Sequence, residues 1–352
     1  MPHQPRGWRA LPRKQRSGSP SGRCFLETLR STTGEDAARL PGNTTMRTFE
    51  TGLFLDRIPF VKMGSGPRAS DPKVDPLLNP MIHSLKSASL GADPAGRAQR
   101  CASPIIVLNG GQAFVRRPTP ARAQRDAKRI ARLLPKGRPV YVLGYDPAPA
   151  AGHSIETIVR DVAQIMRDGT GPATVMGISF GGFVAARLAA DHPDLVRELI
   201  LMVSAHRFSP EGRRSVDRQI GCAWAGDFDG FLDEFGLVFR RPWLNWLIRL
   251  RFRQERTRLH ETMNDPAVIV RGLNAVAGED FGGDPAWLAR IAAPTLIVGA
   301  TCDPFFDVDA LEETARHIPS ARLELFERET HMLPVERARD VAKVVTRFLQ
   351  AR

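Results

Sequence analysis

The run ATVMGISFGGFVAARLAA places one serine in a glycine-flanked turn between an apolar strand and a helix of small residues. A strand that passes directly into a helix leaves the turn residue strained and exposed at the carboxyl end of the strand. Gly177 and Gly181 flank this turn because larger side chains would collide with the neighbouring strand and helix. The stretch therefore predicts a sharp strand-to-helix turn and makes Ser179 the candidate nucleophile.

Alternation of strand and helix extends through most of the chain. The apolar runs typical of buried strands are SPIIVLN, RPVYVLG, PATVMGI, RELILMV, PTLIVGA and ARLELFE, and amphipathic helical patterns lie between them. Fully apolar strands separated by helices are typical of a parallel sheet that is covered on both faces. The chain is therefore predicted to be an α/β protein with a mostly parallel, doubly wound sheet.

The alternation is interrupted once, by residues 207–286, which contain helix-like patches and no convincing strand. We expect a helical cap here, inserted between core segments 46–206 and 287–352. Residues 1–45 are rich in Arg, Pro, Gly and Ser, which predicts a disordered basic tail. Residues 67–102 show little pattern and are expected to form an irregular insertion.

Two local expectations concern the start of the core. Met46 begins the first structured-looking segment and is an alternative start of translation, which would make the preceding tail an annotation artefact. The run from Arg47 predicts a two-stranded hairpin that closes at Gly64–Gly66.

Composition restricts the function classes. Hydrophobic residues make up 42% of the chain, as in ordinary globular proteins, and the net charge is +12. The basic excess lies in the tail and in 240–258 without a nucleic-acid-binding motif, so we expect a solvated basic surface and no nucleic-acid partner, with a nucleic-acid or anionic-membrane contact as the alternative. The expected partner is a small-molecule substrate. Four separated cysteines without metal or CxxC spacing predict free thiols in a reducing compartment, hence a cytoplasmic location.

Acyl-transfer chemistry by a serine requires a base, a carboxylate that orients the base, and donors for the oxyanion. In a parallel sheet these groups lie at the carboxyl ends of strands. Asp303 follows the strand PTLIVGA by three residues, and His331 follows LELFERET directly. The order Ser179, Asp303, His331 is the order expected for this architecture.

With these residues in place, the sequence resembles the α/β-hydrolase superfamily from about Arg47 to Leu349, in GISFGG, PTLIVGATCDPFF and THMLPVE. The resemblance implies a serine-nucleophile enzyme of the esterase or lipase-like branch, in which Asp303 is the acid and His331 the base. Thr330 stands where the family usually has glycine, which calls the shape of this loop into question.

The oxyanion hole is predicted from two places. The residue after the nucleophile, Phe180, supplies one backbone N–H. The stretch LNGGQ resembles the family's His-Gly-x loop with Asn109 in place of histidine, which implies Gly111 as the second donor and Gln112 as the alternative. A simple tight turn is the other interpretation of this loop.

The remaining acidic residues and histidines near these motifs have other interpretations. Asp307 and Asp309 fit the capping turn of the next helix. Four histidines are interpreted as structural or have no predicted role, namely His153, His192, His260 and His317. His206 enters the predicted cap and is a candidate pocket residue. For His331 the alternative is a surface histidine in a loop.

The predicted cap carries apolar residues at near-helical spacing: Phe231, Leu232, Phe235, Phe239, Trp243, Trp246, Leu247 and Leu250. Packing of the cap on the core is the favoured interpretation. The functional interpretation is an apolar acyl pocket, with Phe235, Trp243 and His206 as substrate-binding candidates. The run PWLNWLIRLRFRQER also mixes Trp, Leu and Arg as interfacial helices do, so docking on a membrane surface stays as the minority alternative.

The sequence thus predicts a serine hydrolase that cleaves a carboxylic ester with an apolar part through an acyl-enzyme. An acyltransferase or carbon–carbon bond hydrolase with the same triad is one alternative, and a non-catalytic ligand-binding relative is another. A P-loop and the G-x-G-x-x-G spacing are both missing from the sequence, so no cofactor or metal is expected. The oligomeric state is not indicated.

Overall fold

A computed structural model describes residues 47–65, 103–235, 238–278 and 284–351 of the chain. The predicted tail 1–45, Met46 and the predicted insertion 67–102 lie outside these residues. The side chain of Phe235 also lies outside what the structure describes. The predictions made for these segments, including the alternative start, stay predictions.

The core is an eight-stranded sheet in the order β1-β2-β4-β3-β5-β6-β7-β8. The strands are β1 Arg47–Phe54, β2 Ile58–Ser65, β3 Ile105–Leu108, β4 Val140–Leu143, β5 Ala173–Ile178, β6 Val196–Met202, β7 Thr295–Ala300 and β8 Ala321–Phe326. Strand β2 pairs antiparallel with both β1 and β4, and all other neighbouring strands are parallel. The predicted mostly parallel sheet is therefore confirmed.

The predicted hairpin forms, but its turn lies elsewhere. Strands β1 and β2 pair from Arg47 opposite Ser65 to Phe54 opposite Ile58, so the chain reverses at residues 55–57 and not at 64–66. Leu55 and Asp56 have φ angles of 50° and 55°. Glycine is the usual signal for such a left-handed turn, and without it the sequence pattern did not mark this position.

The α-helices within the described residues are α1 Gln112–Val115, α2 Pro120–Ile130, α3 Ile155–Ile165, α4 Phe180–Asp191, α5 Pro210–Ala225, α6 Phe228–Phe235, α7 Pro242–Gln254, α8 Arg256–Thr262, α9 Pro266–Gly278, α10 Val308–His317, α11 Leu333–Glu336 and α12 Ala338–Gln350. Helices α2 and α12 contribute to one apolar cluster on the sheet, and α3, α4 and α10 contribute to another. The sheet is therefore covered on both faces, as expected for fully apolar strands.

Local sequence signals explain where several helices begin. The Ser154 hydroxyl accepts a hydrogen bond from the Thr157 N–H, and the Thr157 hydroxyl accepts one from the Ser154 N–H, which forms a capping box at α3. The Thr119 hydroxyl caps α2 by accepting from the Arg122 N–H, and Pro120 occupies the first turn of this helix.

Helices α5 to α9 all lie between β6 and β7, in the part of the chain predicted to form a cap. Helix α9 lies close to α1, the short helix that follows the loop after β3, since a Cβ atom built at Gly272 would be 2.5 Å from the ring of Phe114. The division of this segment from the core as a separate cap stays a prediction.

In the described part of the chain, no helix is long and apolar enough to span a bilayer. Cys222 and Cys302 are free thiols, and Cys24 and Cys101 lie outside the described residues. The cytoplasmic location stays a prediction.

Candidate active site

Ser179 lies between β5 and α4 with φ 52° and ψ −119°, a backbone conformation that residues with side chains rarely adopt. Its N–H donates to the Met202 carbonyl oxygen at 2.9 Å, which holds the turn against β6. A Cβ atom built at Gly177 would lie 2.4 Å from the Gly181 oxygen, and one built at Gly181 would lie 2.2 Å from the Leu108 oxygen. These close backbone approaches explain why glycines flank the serine.

The structure brings the three predicted catalytic side chains together at the carboxyl edge of the sheet. The Oγ of Ser179 lies 2.9 Å from His331 Nε2, and His331 Nδ1 lies 2.8 Å from Asp303 Oδ2. The other carboxylate oxygen of Asp303 accepts hydrogen bonds from the N–H groups of Phe305 at 2.8 Å and Phe306 at 3.3 Å. These bonds fix the carboxylate so that one oxygen faces the imidazole.

The surroundings also hold the imidazole in place. The ring centroids of Phe305 and Phe306 lie 4.9 and 5.9 Å from that of His331. The Asp303 side chain is 1% exposed and that of His331 is 15% exposed. A buried carboxylate beside a partly accessible imidazole can orient the ring and stabilise its protonated form, while the edge of the ring stays open to substrate.

The neighbouring carboxylates have structural roles, as expected. Asp307 accepts a hydrogen bond from the Ala310 N–H at 2.9 Å and caps α10, and Asp309 lies in the first turn of that helix. Each of three other histidines contacts a local partner: His192 lies 3.1 Å from Arg167 Nη2, His260 lies 3.0 Å from Asp229 Oδ1, and His317 lies 2.9 Å from the Glu313 carbonyl oxygen.

The NGG loop after β3 lies beside the serine turn. A Cβ atom built at Gly110 would be 3.7 Å from the Ser179 Cβ, and one built at Gly111 would be 4.0 Å from the Phe180 Cβ. The N–H of Gly110 donates to the Asn109 side-chain oxygen at 3.0 Å. This bond engages the Gly110 N–H within the loop itself.

Gly111 is the N-cap of α1, Gln112 is the first residue of that helix, and Phe180 is the first residue of α4. N–H groups at the start of a helix have no acceptor within the helix. They also lie at the positive end of the helix dipole, which favours a developing negative charge. The position of all three residues is therefore compatible with the predicted oxyanion hole, and the assignment of Gly111 and Phe180 over Gln112 stays a prediction.

Tyr145, which sequence reasoning missed, contacts this loop and the rings beside it. Its hydroxyl donates to the Asn109 carbonyl oxygen, and its ring centroid lies 5.9 Å from that of Phe114 and 5.0 Å from that of Phe180. Burial raises the pKa of the Tyr145 hydroxyl, so it stays protonated and keeps donating. Its place two residues after β4 was the only available signal, because its partner lies 36 residues away.

Glu329 is the second residue that the sequence did not single out. Its side chain is 1% exposed, and its Oε1 accepts from Arg240 Nη1 at 2.8 Å and from Arg337 Nη1 at 2.9 Å. The next residue, Thr330, donates from its hydroxyl to the Val238 carbonyl oxygen at 2.6 Å. Thr330, in the position where the resemblance implies glycine, thus connects the histidine loop to the segment before α7.

Of the predicted substrate-binding residues, His206 is buried among other partners, Trp243 is exposed, and the side chain of Phe235 lies outside the described part. The His206 ring is 1% exposed, and its Nδ1 and Nε2 lie 2.9 Å from Thr314 Oγ1 and 3.6 Å from Glu313 Oε2. Burial lowers the pKa of His206 to about 4, so the ring is neutral at pH 7. These contacts favour a structural role. The side chain of Phe235 is not described, and substrate contact by either residue stays a prediction.

The apolar residues of the predicted cap divide into two groups. Phe231 and Leu232 are buried, as expected for packing on the core, whereas Trp243 and three of its neighbours on α7 are exposed. The exposed fractions are 57% for Trp243, 65% for Trp246, 45% for Leu247 and 38% for Leu250. The packing prediction is therefore wrong for these four residues of α7, because helical spacing of apolar residues does not reveal which face of a helix is covered.

Comparisons with known proteins identify the family of the chain. Residues 105–344 match the model of a family described as the alpha/beta hydrolase family. The chain is 24% identical over 194 residues to a pimeloyl-[acyl-carrier protein] methyl ester esterase of Vibrio campbellii, covering 52% of the chain and 74% of the relative. It is 25% identical over 256 residues to a 2-hydroxymuconate semialdehyde hydrolase of Pseudomonas putida, covering 70% and 86%.

Solved structures with similar folds are numerous. One is MGS-M2, an alpha/beta hydrolase enzyme from a Medee basin deep-sea metagenome library, with a TM-score of 0.59 at 15% identity over 85% of this chain and 96% of that one. At this level of identity, the likeness shows the fold.

Proposed function

Because the chain belongs to the alpha/beta hydrolase family, we propose that it is a serine hydrolase that cleaves a carboxylic ester through a covalent acyl-enzyme. The observation that carries this proposal is the continuous hydrogen-bonded series from Ser179 Oγ through His331 to Asp303, at 2.9 and 2.8 Å. These distances lie within the range that general-base catalysis requires. A serine that is merely structural would not need a buried carboxylate behind its histidine partner.

In the first half of the reaction, His331 Nε2 takes the proton of the Ser179 hydroxyl as Oγ bonds to the ester carbonyl carbon. The electron pair of the carbonyl moves to its oxygen, where the N–H groups of Gly111 and Phe180 would stabilise the negative charge. The C–O bond to the alcohol then breaks, and the proton on His331 passes to the departing alkoxide. The alcohol leaves, and the acyl group remains on Ser179.

In the second half, a water molecule occupies the place of the alcohol. His331 accepts one proton from this water as its oxygen attacks the acyl carbon, and the same oxyanion donors are used again. Collapse of the intermediate breaks the bond to Ser179 Oγ, and His331 returns the proton to that oxygen. Throughout, the Asp303 carboxylate keeps the proton of the neutral imidazole on Nδ1 and leaves Nε2 free to act as the base.

The surroundings of the site support an ester with an apolar part. The rings of Phe114, Tyr145 and Phe180 pack against one another beside the NGG loop, and Phe305 is only half-buried next to His331. The methyl ester esterase from Vibrio campbellii supports an ester as the substrate class. The five helices between β6 and β7 are proposed to act as a cap whose inner side selects the acyl or alcohol group.

The proposal is tested with p-nitrophenyl esters of increasing acyl length, assayed with the wild type and with Ser179→Ala. We expect activity that rises from acetate to medium chains and falls by at least about 10³-fold in the variant. Ser320→Ala is the matched control, because Ser320 is exposed and directly precedes β8, at the amino edge of the sheet and not at the carboxyl edge that carries the site. Equal turnover by Ser179→Ala and the wild type would contradict the proposal. Accumulation of a transesterified product with an added alcohol would redirect it to acyl transfer.

A further inference from the structure

Helix α7 has an apolar face that nothing in the described structure covers. Residues Leu244, Ile248 and Phe252 recur at intervals of four and are half-buried, so they form the side of α7 that packs inward. The opposite side carries Trp243, Trp246, Leu247 and Leu250, which are all exposed. We call these four residues the tryptophan face. Their spacing of i, i+3, i+4 and i+7 places them in one stripe.

Positive charge surrounds the tryptophan face. Residues 240–258 contain seven arginines and one glutamate. At about 100° per residue, Arg251 and Arg253 lie on either side of the stripe. Arg251 pairs with Glu255 at 3.0 Å, whereas Arg241, Arg253 and Arg258 are exposed and pair with no carboxylate in the described residues.

We propose that the tryptophan face docks this protein on the surface of an anionic lipid bilayer. Tryptophan and leucine side chains favour the boundary between headgroups and acyl chains, where α7 would lie parallel to the surface. Flanking arginines extend their long side chains and bring their charge to the phosphate groups of anionic lipids. One occupant thus accounts for both the exposed apolar stripe and the unpaired arginines.

Charge makes the other occupants less suitable. A second copy of the chain, docked through the same face, would bring two arginine-rich surfaces against each other. The two long segments of this chain outside the described residues are basic as well, with eight basic and three acidic residues in 1–45 and five basic and three acidic residues in 66–102. An acidic protein would pair with the arginines, but it would also have to offer an apolar groove for two tryptophans.

The docking helix is connected to the candidate active site. Arg240, two residues before α7, donates from its side chain to Glu329 at 2.8 Å and from its N–H to Glu336 Oε2 at 3.2 Å. Both glutamates flank the loop that carries His331. Docking of α7 would therefore place this side of the site next to the lipid surface, where apolar esters accumulate.

Co-sedimentation with vesicles tests the proposal, and the Ser179→Ala variant serves as the binding protein. This choice separates docking from catalysis, because docking survives even if the proposed hydrolase activity is absent. We expect the protein to pellet with vesicles of equimolar phosphatidylcholine and phosphatidylglycerol at low salt. Pelleting should decrease as salt is added and be weak with pure phosphatidylcholine.

Two variants and two matched controls identify the surface. Arg241→Glu/Arg253→Glu should lower the vesicle partition coefficient at least about 25-fold, from about fivefold per arginine. Trp246→Ser/Leu250→Ser should lower it about tenfold, because exposed apolar area is removed without a change of charge. The charge control is Arg125→Glu/Arg129→Glu on α2, and the apolar control is Leu53→Ser on β1. Both controls should bind like the parent, because these exposed residues lie on other elements.

Any of four results would overturn the proposal. The first is no pelleting with the anionic vesicles, and the second is an equal loss in the α7 variants and their controls. The third is a stable dimer by light scattering that Trp246→Ser/Leu250→Ser dissociates, together with no vesicle binding, which would assign the face to a second copy. Binding to an acidic protein but not to the anionic vesicles would likewise contradict a lipid surface.

Discussion

The glycines around Ser179 allow a sharp test of how the site is built. In Gly181→Ala, the new Cβ atom would lie 2.2 Å from the Leu108 oxygen and 2.7 Å from the Asn109 oxygen. Both atoms belong to backbone that runs from β3 into the NGG loop, so they cannot move as a side-chain end can. Ordinary contacts begin near 3.4 Å, so the loop must shift by about 1 Å.

The magnitude follows from that shift. Overpacking of a close-packed site costs about 1–3 kcal/mol even when side chains can adjust. Here β3 is paired on both sides, so we expect Gly181→Ala to lower the free energy of unfolding by about 3 kcal/mol or more. Gly221 is the matched control: it also lies in a helix, α5, but a Cβ atom there meets nothing within 4 Å. Gly221→Ala should raise the free energy of unfolding by about 1 kcal/mol.

Gly182 adds an internal check, because its added Cβ atom would lie 2.1 Å from the Oγ and 2.4 Å from the Cβ of Ser204. Here a side chain causes the clash, so Gly182→Ala/Ser204→Gly should recover most of the stability that Gly182→Ala loses. Urea unfolding followed by circular dichroism compares these four variants with the wild type. The reasoning is refuted if Gly181→Ala unfolds at the same urea concentration as Gly221→Ala, or if the double variant is no more stable than Gly182→Ala.

Three further outcomes are expected. His206 has a folded pKa of about 4, below its unfolded value of about 6.5, so the unfolded chain takes up the proton first as pH falls. Up to about 3 kcal/mol of the free energy of unfolding should therefore be lost as pH falls from 6.5 to 4. His206→Gln should lack this pH-dependent loss in urea titrations at successive pH values. Asp303→Asn keeps the shape but removes the charge that orients the imidazole, so kcat on the best ester should fall by about 10³–10⁴ with little change in KM. Glu329→Gln removes the buried negative charge that pairs with Arg240 and Arg337, so kcat should fall about tenfold while KM changes little. The control Asp191→Asn, at an exposed ion pair, should leave both kcat and KM unchanged.

The strand ends explain how much of the site was predictable. Ser179, Asp303 and His331 each follow an apolar strand, and the carboxyl ends of parallel strands meet at one edge, so sequence order alone suggested that the side chains are close. The sheet was predictable for the same reason, since fully apolar strands leave few alternatives. The hairpin turn at Leu55 and Asp56 was not, because it lacks glycine.

Contacts between residues that are distant in the chain could not be predicted from the sequence. The hydrogen bond between Arg240 and Glu329 spans 89 positions, and neither residue type nor spacing marks it. The exposure of Trp246 could not be predicted either, because apolar residues recur with the same sequence period on a covered helix face and on an exposed one. Both features depend on how α7 is placed beside the sheet, and that placement is a property of tertiary packing.

The most direct test of the proposed chemistry is labelling with a fluorophosphonate, which bonds only to a serine whose hydroxyl is activated. Intact mass and peptide mapping should show one adduct on the wild type, located at Ser179, and the same adduct on Ser320→Ala. Ser179→Ala should remain unlabelled, and His331→Ala should label far more slowly because Oγ has lost its base at 2.9 Å. An unlabelled wild type, or equal labelling of Ser179→Ala, would contradict the claim that this hydrogen-bonded series makes Ser179 a nucleophile.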